Sequence, residues 1–504
     1  MDYSKEIWSV VSYIEKRIKE DIAYEELERI TGFTYRHLRE VFAEIAGCSL
    51  SRYINVRKSA NAASLLVHSN KSLTEIAYEF GFKNYDTFTR VFKRETGMTP
   101  SEFRHTGRAV GRRRLGIGMF APIIISVKEN SRVHSLEIEK NETNKSGNRQ
   151  DCCILYGVSK VHYAMEGWYC SPFPMCLKAV LNYMGQEINY SCLMAASGMA
   201  FRLRWNQNQW DPGNVGIQTI FEDPKEGIHR AFEAAGRGYD ILSKQGNSLE
   251  EKEMFKALIR QHLDKGQPLI SIGIIGPPEA GIITGYKNGG DTLLGWSLFQ
   301  ENMEFAGGVQ FDECGYYITD HWWETVDCVI TVGELLEAET DPKKILANGL
   351  SILKKELIAA SYGEKFFYGG QAAYQAWAEA VKNDKEFSKD MILPLLLERF
   401  MCQGDAEVMV SEGRYCAADY LRRLGEEYPT AVNECEHAAK CFDDICSCIN
   451  DMTALRKGHE QTEDTLMKFV DSDIRSQIAE YIGRAAACES VAAHALEAVI
   501  EKIN

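Results

Sequence analysis

Apolar positions return every three to four residues from about residue 7 to residue 107, the period of helices that bury one face. The first proline in the chain is Pro100. Within this stretch one pattern is written twice. "EELERITGF" (25–33) and "LTEIAYEFGF" (73–82) each predict a short amphipathic helix running into a glycine, Gly32 or Gly81. Glycine tolerates the left-handed backbone that a sharp turn between helices demands. A second helix follows each turn, with Leu38, Val41, Phe42 and Ile45 on the apolar face of the first copy and Phe88, Val91 and Phe92 on that of the second. Gly47 and Gly97 stand where these helices should stop.

Between the copies, "SLSRYINVRKSANAASLLVHSN" (49–70) is a helical pattern free of Gly and Pro. About 20 residues at 1.5 Å each make a strut of roughly 30 Å. Beyond residue 107 the texture changes twice. Residues 108–150 are basic and then polar, the composition of a linker. From residue 151 the chain is rich in Gly, Trp and β-branched residues: "QPLISIGII", "AGIITGY" and "GGDTLLGWSLFQ" predict strands, while "PMCLKAVLNYMG" and "EEKEMFKALIRQHLDKG" predict helices. After about Val332, Ala, Glu, Leu and Lys dominate and helical patterns run to the end. The predicted organisation is therefore multidomain: an all-α segment over 1–107, a linker over 108–150, an α/β domain over 151–335, and a mostly α-helical region over 336–504 that completes the α/β domain or supplies a dimer interface.

Composition changes this picture in one respect. With 504 residues, 45% hydrophobic and 26% charged, the chain has the make-up of a soluble globular protein of several domains. The formal charge is −15, yet residues 1–115 sum to +5 and the rest to −20. Such asymmetry points to nucleic-acid binding at the basic end. No basic region leads into an apolar stretch at the start, and "MFAPIIISV" (119–127) is far short of the ~20 residues a membrane helix needs, so a cytoplasmic protein without a membrane partner is expected. The 15 cysteines are expected to be reduced, and "CEHAAKCFDDICSC" (435–448) lacks paired metal-ligand spacing, so neither metal nor other cofactor is expected.

Two helices joined by a glycine turn make a helix-turn-helix, whose second helix enters the major groove of double-stranded DNA. A strut near the ~34 Å of one duplex turn can hold two such heads in successive grooves, which gives the repeat its purpose. Opposite the apolar faces lie Tyr35, Arg36, Arg39 and Glu40 in the first head and Tyr85, Asp86, Thr87 and Arg90 in the second. Arg matches guanine, carboxylates accept from cytosine, and Thr or Tyr can meet the thymine methyl. Lys83, Lys93, Arg94, Arg52 and Arg57 are expected to hold phosphates. "IAYEFGF", "FTRVFKRETGMTPSEFR" and "HLREVFAEIAG" closely resemble the DNA-binding domain of the AraC/XylS family of transcription regulators, over about 100 of the 504 residues. The resemblance implies a regulator whose DNA-binding domain, usually last in that family, here comes first. It departs from the family at Glu28, where the second copy has the small Ala77 four residues before its turn glycine.

"GWYCSPFPMCLKAVLNYMGQEINYSCLMAASGMAFRLRWN" (167–206) carries the other candidate chemistry. A Cys at the head of a helix can have its thiolate stabilised by the helix dipole. The stretch weakly resembles papain-like folds of the bacteriocin-processing peptidase and butirosin-biosynthesis acyltransferase type, which implies Cys170 as nucleophile. Those folds supply a His at the head of a strand, where this chain has Glu279 or Ala280, and His162 and His321 lack that strand context. A cleft that kept its shape and lost its chemistry is the expectation: not an enzyme but a sensor of a small-molecule effector, with a Cys170-dependent acyltransferase or hydrolase as the alternative. Trp168, Cys170, Arg204, Trp205, Asp211, Glu279 and Trp296 are the candidate ligand contacts, with Arg202 and further aromatics beside them. Acidic and aromatic residues together favour an aromatic or cationic effector. A homodimer completes the expectation.

Overall fold

The computed structural model describes most of residues 3–105 and 152–503; residues 106–151 and shorter stretches, among them 162–168, 207–209, 211–215, 301–308, 337–340, 360–365 and 388–392, lie outside the described residues. The amino-terminal part contains helices α1 (Tyr24–Thr31), α2 (Tyr35–Ala46), α3 (Leu50–His68), α4 (Leu73–Glu79), α5 (Tyr85–Thr96) and α6 (Pro100–His105). Leu27, Leu38, Val41, Phe42, Ile76, Ala77, Phe88, Val91 and Phe92 belong to one buried core, the apolar faces that the sequence pattern marks. Gly32 and Gly81 carry φ of +69° and +67°. At Gly81 it is the backbone that requires glycine, since the atom nearest an added Cβ, 3.0 Å away, is Lys58 Nζ, the end of a flexible side chain. The helices α2 and α5 end at Ala46 and Thr96; Gly47 and Gly97 themselves lie outside the described residues. The strut α3 has 19 residues, about 28 Å.

The remainder is built on a larger scale. In chain order it runs β1 (Cys153–Ile154), α7 (Pro172–Tyr183), α8 (Tyr190–Ala196), β2 (Arg204–Asn206), α9 (Glu226–Ala234), β3 (Ile241–Ser243), α10 (Leu249–Leu263), β4 (Leu269–Ile272), β5 (Ala280–Lys287), β6 (Thr292–Ser297), β7 (Gln310–Phe311), β8 (Tyr317–Thr319), α11 (Trp322–Thr325), β9 (Cys328–Ile330), α12 (Pro342–Lys354), β10 (Leu357–Ala359), β11 (Phe366–Gly369), α13 (Gly370–Lys382), α14 (Leu393–Glu427), α15 (Val432–Leu455), α16 (Glu463–Val470) and α17 (Ser472–Lys502). The main sheet has the order β3-β9-β4-β5-β6-β8-β7, with β1 also paired to β5, and its ladders are antiparallel. Strand alternation divides its side chains between two cores. Ile270, Ile272, Ile282, Leu294 and Ile330 face one core, whereas Leu269, Ile283, Leu293 and Val329 face another shared with Phe255, Ile259 and Leu263 of α10.

Two features add detail to the expected mostly helical region that completes the α/β domain or supplies a dimer interface. The stretch after Val332 is not wholly helical, because β10 and β11 form a hairpin ladder there. The strand β11 also pairs with β2, so residues 204–206 and 366–369 share a sheet. Backbone hydrogen bonds thus link segments on either side of residue 335, and one hydrophobic core runs from Val158 to Ile503. Short strands in an Ala-rich context give little periodicity to detect, since three residues are below the length at which alternation is legible.

Candidate functional site

Each reading head is assembled from short-range contacts. Asn84 caps α5, its Oδ1 accepting from the Thr87 N–H at 2.8 Å, and Thr34 caps α2 more loosely, its Oγ1 accepting from the His37 N–H at 3.4 Å. Ser72 and Glu75 form a reciprocal capping box at α4. Glu28, the departure from the repeat, accepts from the backbone N–H of Tyr35 with its Oε1. A carboxylate from α1 therefore holds the start of α2, where the second head has the fully buried Ala77 at the helix crossing. The two heads are fastened differently.

Arg36, Arg39, Glu40, Asp86, Arg90 and Lys93 are all exposed, as are Lys83, Arg94 and Arg52. Tyr35, Tyr85 and Thr87 are half-buried. The Tyr35 ring lies 4.7 Å from that of Tyr24, and the Arg39 guanidinium is 5.8 Å from the Tyr35 ring centre. Arg36 and Glu40 pair at 3.3 Å, an exposed contact that contributes about 0–1 kcal/mol and yields readily to another partner. Arg57 corrects the sequence reading: it is 4% exposed, buried against the domain core by its place on α3, and does not present itself to a phosphate.

The second candidate, around Cys170, has a different character. Cys170 stands two residues ahead of α7, separated by the N-cap Ser171 from Pro172, the first residue of the helix. The anion-favouring end of this helix is already occupied. Glu412 of α14 accepts from the backbone N–H groups of Cys170 and Ser171, from Ser171 Oγ at 2.6 Å and from the Tyr190 hydroxyl at 2.7 Å. Burial raises the Glu412 carboxyl above the usual carboxylate range against the pull of these donors. Burial, and secondly the Glu412 charge, push the Cys170 thiol up to about 12. At neutral pH roughly 10⁻⁵ of such a thiol would be ionised. The donors that could activate a nucleophile here point at a carboxylate instead.

Alkylation of Cys170 is accordingly expected to lag that of the exposed Cys152 by roughly two to three orders of magnitude at pH 8. Since a raised thiol pKa means the reactive form accumulates only as pH rises, the rate should climb about tenfold per pH unit with no plateau below pH 11. Timed iodoacetamide labelling with peptide mapping measures this, and a plateau near pH 8.5 would show an ordinary thiol.

Of the other candidate ligand contacts, Arg204 and Glu279 are brought near Arg202, while Trp205 and Trp296 pack in the core. Trp205 packs against Trp210 at 5.2 Å and Trp377 at 5.9 Å, within the core. Trp296 lies 4.8 Å from Tyr316 and donates to the Val158 carbonyl. The Arg204 guanidinium sits over the Phe367 ring at 4.2 Å. Arg202 feels the charges of Glu412, Glu279 and Arg204, which makes these four a buried polar cluster. Trp168, Asp211 and His162 lie outside the described residues, and His321 is exposed between Asp320 and Glu324. Glu412 escaped the sequence reading because it meets Ser171 across 241 residues, and no local pattern encodes such a meeting. The caps Thr34 and Asn84, by contrast, stand directly before a helix and were open to the helix-start rule.

Known proteins resemble the amino-terminal part that carries both heads. A family model described as a helix-turn-helix domain matches residues 27–106. The probable transcription factor PqrA of Proteus vulgaris is 31% identical over 100 residues, which cover 19% of this chain and 82% of that protein. The multiple antibiotic resistance protein MarA of Escherichia coli is 31% identical over 100 residues, 20% of this chain and 79% of MarA. The HTH-type transcriptional regulator YbfP of Bacillus subtilis is 31% identical over 104 residues, 21% of this chain, and the chain spans about a third (35%) of that relative. A solved DNA-binding domain of the transcriptional factor AdpA, in complex with a target DNA, is covered over 96% of its length at 23% identity, 22% of this chain, with a TM-score of 0.20.

Proposed function

This chain belongs to the AraC family of DNA-binding transcription regulators, and from that premise we propose that it grips two adjacent major grooves with α2 and α5 under the control of a small molecule sensed by residues 151–504. The observation that carries this reading is the pair of exposed second helices, α2 and α5, joined through a strut of 19 residues. Arg36, Arg39 and Glu40 of one head, and Asp86, Thr87 and Arg90 of the other, face the bases; Tyr35 and Tyr85 stand at the helix starts. Lys83, Lys93, Arg94 and Arg52 lie toward phosphates and set register.

Arg90→Ala is expected to cost about 1–3 kcal/mol on the cognate site and to relax preference at one base position. Lys93→Ala should instead weaken all sequences alike and lower the salt slope by about one. Anisotropy titrations over a range of salt concentrations separate the two; identical behaviour of both variants would refute these roles.

For the rest of the chain, a papain-like ancestry is supported by Cys170 ahead of α7 with an antiparallel sheet after it, and Glu412 at the helix start argues for binding rather than catalysis. A sensor shifts the DNA-binding arms only by its differential affinity for two states. A homodimer and a cytoplasmic location fit this role; among the described residues no helix is long and apolar enough to cross a membrane. The alternative, a Cys170-dependent acyltransferase or hydrolase, predicts turnover of thioesters or amides that Cys170→Ala abolishes while DNA binding persists.

A further inference from the structure

Four of the buried guanidinium groups in residues 151–504 share a habit. Arg414 presents its Nε and Nη2 to Glu489, both at 2.6 Å. Arg456 offers the same edge to Glu407, through Nε at 3.1 Å and through Nη2. Arg399 bonds Glu386, and Arg475 bonds Asp384 at 2.6 Å. Each of the four is at most 5% exposed, and each has a carboxylate hydrogen-bonded to it. That is the expected state, because a desolvated cation is costly unless paired.

Arg202 departs from the habit. It is 4% exposed. Its Nη1 donates to the Gly216 carbonyl at 3.1 Å, and its Nη2 meets the thioether of Met409 at 2.8 Å, a weak acceptor. Its Nε is buried without a hydrogen-bond partner. The edge that Arg414 and Arg456 turn to a carboxylate is here turned to sulfur and to nothing that accepts. Glu412 and Glu279 favour its charge from a distance, yet neither accepts a hydrogen bond from it among the described residues, and burial draws the guanidinium down to about 10, still protonated at neutral pH. Glu412 is committed elsewhere, to Cys170, Ser171 and Tyr190. The Glu279 carboxylate is held near Gly216, where a Cβ would be 3.4 Å from its Oε1.

We propose that Arg202 is the anchor of the effector site, receiving a carboxylate of the small molecule on its Nε/Nη2 edge. The inference rests on the effector reading above and changes its chemistry: the ligand is an anion rather than the cation that the aromatic and acidic residues suggest. Bidentate recognition of a planar carboxylate is the strong, directional use of this edge. It also explains why this buried guanidinium has no carboxylate hydrogen-bonded to it: that carboxylate arrives with the ligand.

The test uses the full chain and small carboxylates, benzoate and succinate, against their uncharged amides, benzamide and succinamide. The carboxylates should raise the melting temperature of the protein by a few degrees, while the amides leave it unchanged. Arg202→Gln should abolish that difference and Arg202→Lys should keep part of it. Equal effects of acid and amide, an unchanged response in Arg202→Gln, or no stabilisation by either carboxylate would overturn the assignment. Should Arg202→Gln fail to fold, a crystal soaked with benzoate decides: density on the Nε/Nη2 edge supports the site, and density elsewhere or none overturns it. A carboxylate that binds at Arg202 but leaves DNA affinity unaltered would keep this site and remove the effector reading alone.

Discussion

Insertion of about five base pairs between the two contacted major-groove segments is expected to lower affinity by roughly a hundredfold or more. Half a helical turn carries the second segment to the opposite side of the duplex. The strut α3 is 19 residues of continuous helix and has no joint that could follow it. Binding then retains one head only, and the lost base contacts are worth ~1–3 kcal/mol each. Insertion of about ten base pairs restores the phase but moves the segment a further ~34 Å, beyond a strut of about 28 Å, so affinity should stay low. A flexible connection would instead recover. The measurement is an anisotropy titration at fixed salt on a site first selected with the purified chain. Affinity that survives the shorter insertion would mean that a single head accounts for binding.

The largest stability effect is expected at Arg414. This residue and Glu489 are almost wholly buried, 0% and 2% exposed at the side chain, and the Glu489 carboxylate also accepts from the Tyr374 hydroxyl at 3.0 Å. Arg414 Nη1 donates in addition to the carbonyls of Ala200 and Arg202 at 3.0 and 3.1 Å. One side chain thus ties α14 to α17 and to the turn ahead of β2. Arg414→Met should destabilise residues 151–504 by ~3–5 kcal/mol, because it strands a buried carboxylate. Replacing Glu489 by Met as well should recover much of that loss, since two apolar residues carry no desolvation penalty. Urea unfolding of both variants measures the difference, and DNA binding by residues 1–107 should be retained. A loss below 1 kcal/mol in the single variant would place this pair with exposed contacts such as Arg36–Glu40.

Arg414 also shows why so little of the carboxy-terminal architecture was open to inspection along the chain. Its partner is 75 residues away, and Glu412, two positions earlier, serves Ser171 across 241. On α14 both are ordinary charged residues in a helix of 35, where a charge is most often a solvated one. The pairing of β2 with β11 is of the same kind, a ladder of three residues joining segments more than 150 positions apart. The heads lie at the other extreme. Gly32 and Gly81, the apolar spacing of α2 and α5, and the caps ahead of them act within a few residues of one another. Even there Arg57 misled, because its burial depends on how α3 packs and not on its own neighbours in sequence.

The amino-acid order alone determined the repeated helix-glycine-helix units, the strut between them and the concentration of positive charge beside them, because backbone conformation and helical period are local properties. Only the tertiary structure decided that Glu412 takes the helix start beside Cys170, that Arg202 is buried with no carboxylate hydrogen-bonded to it, and that one core runs from Val158 to Ile503. Those outcomes depend on which distant groups are desolvated together, and desolvation is a property of the packed interior.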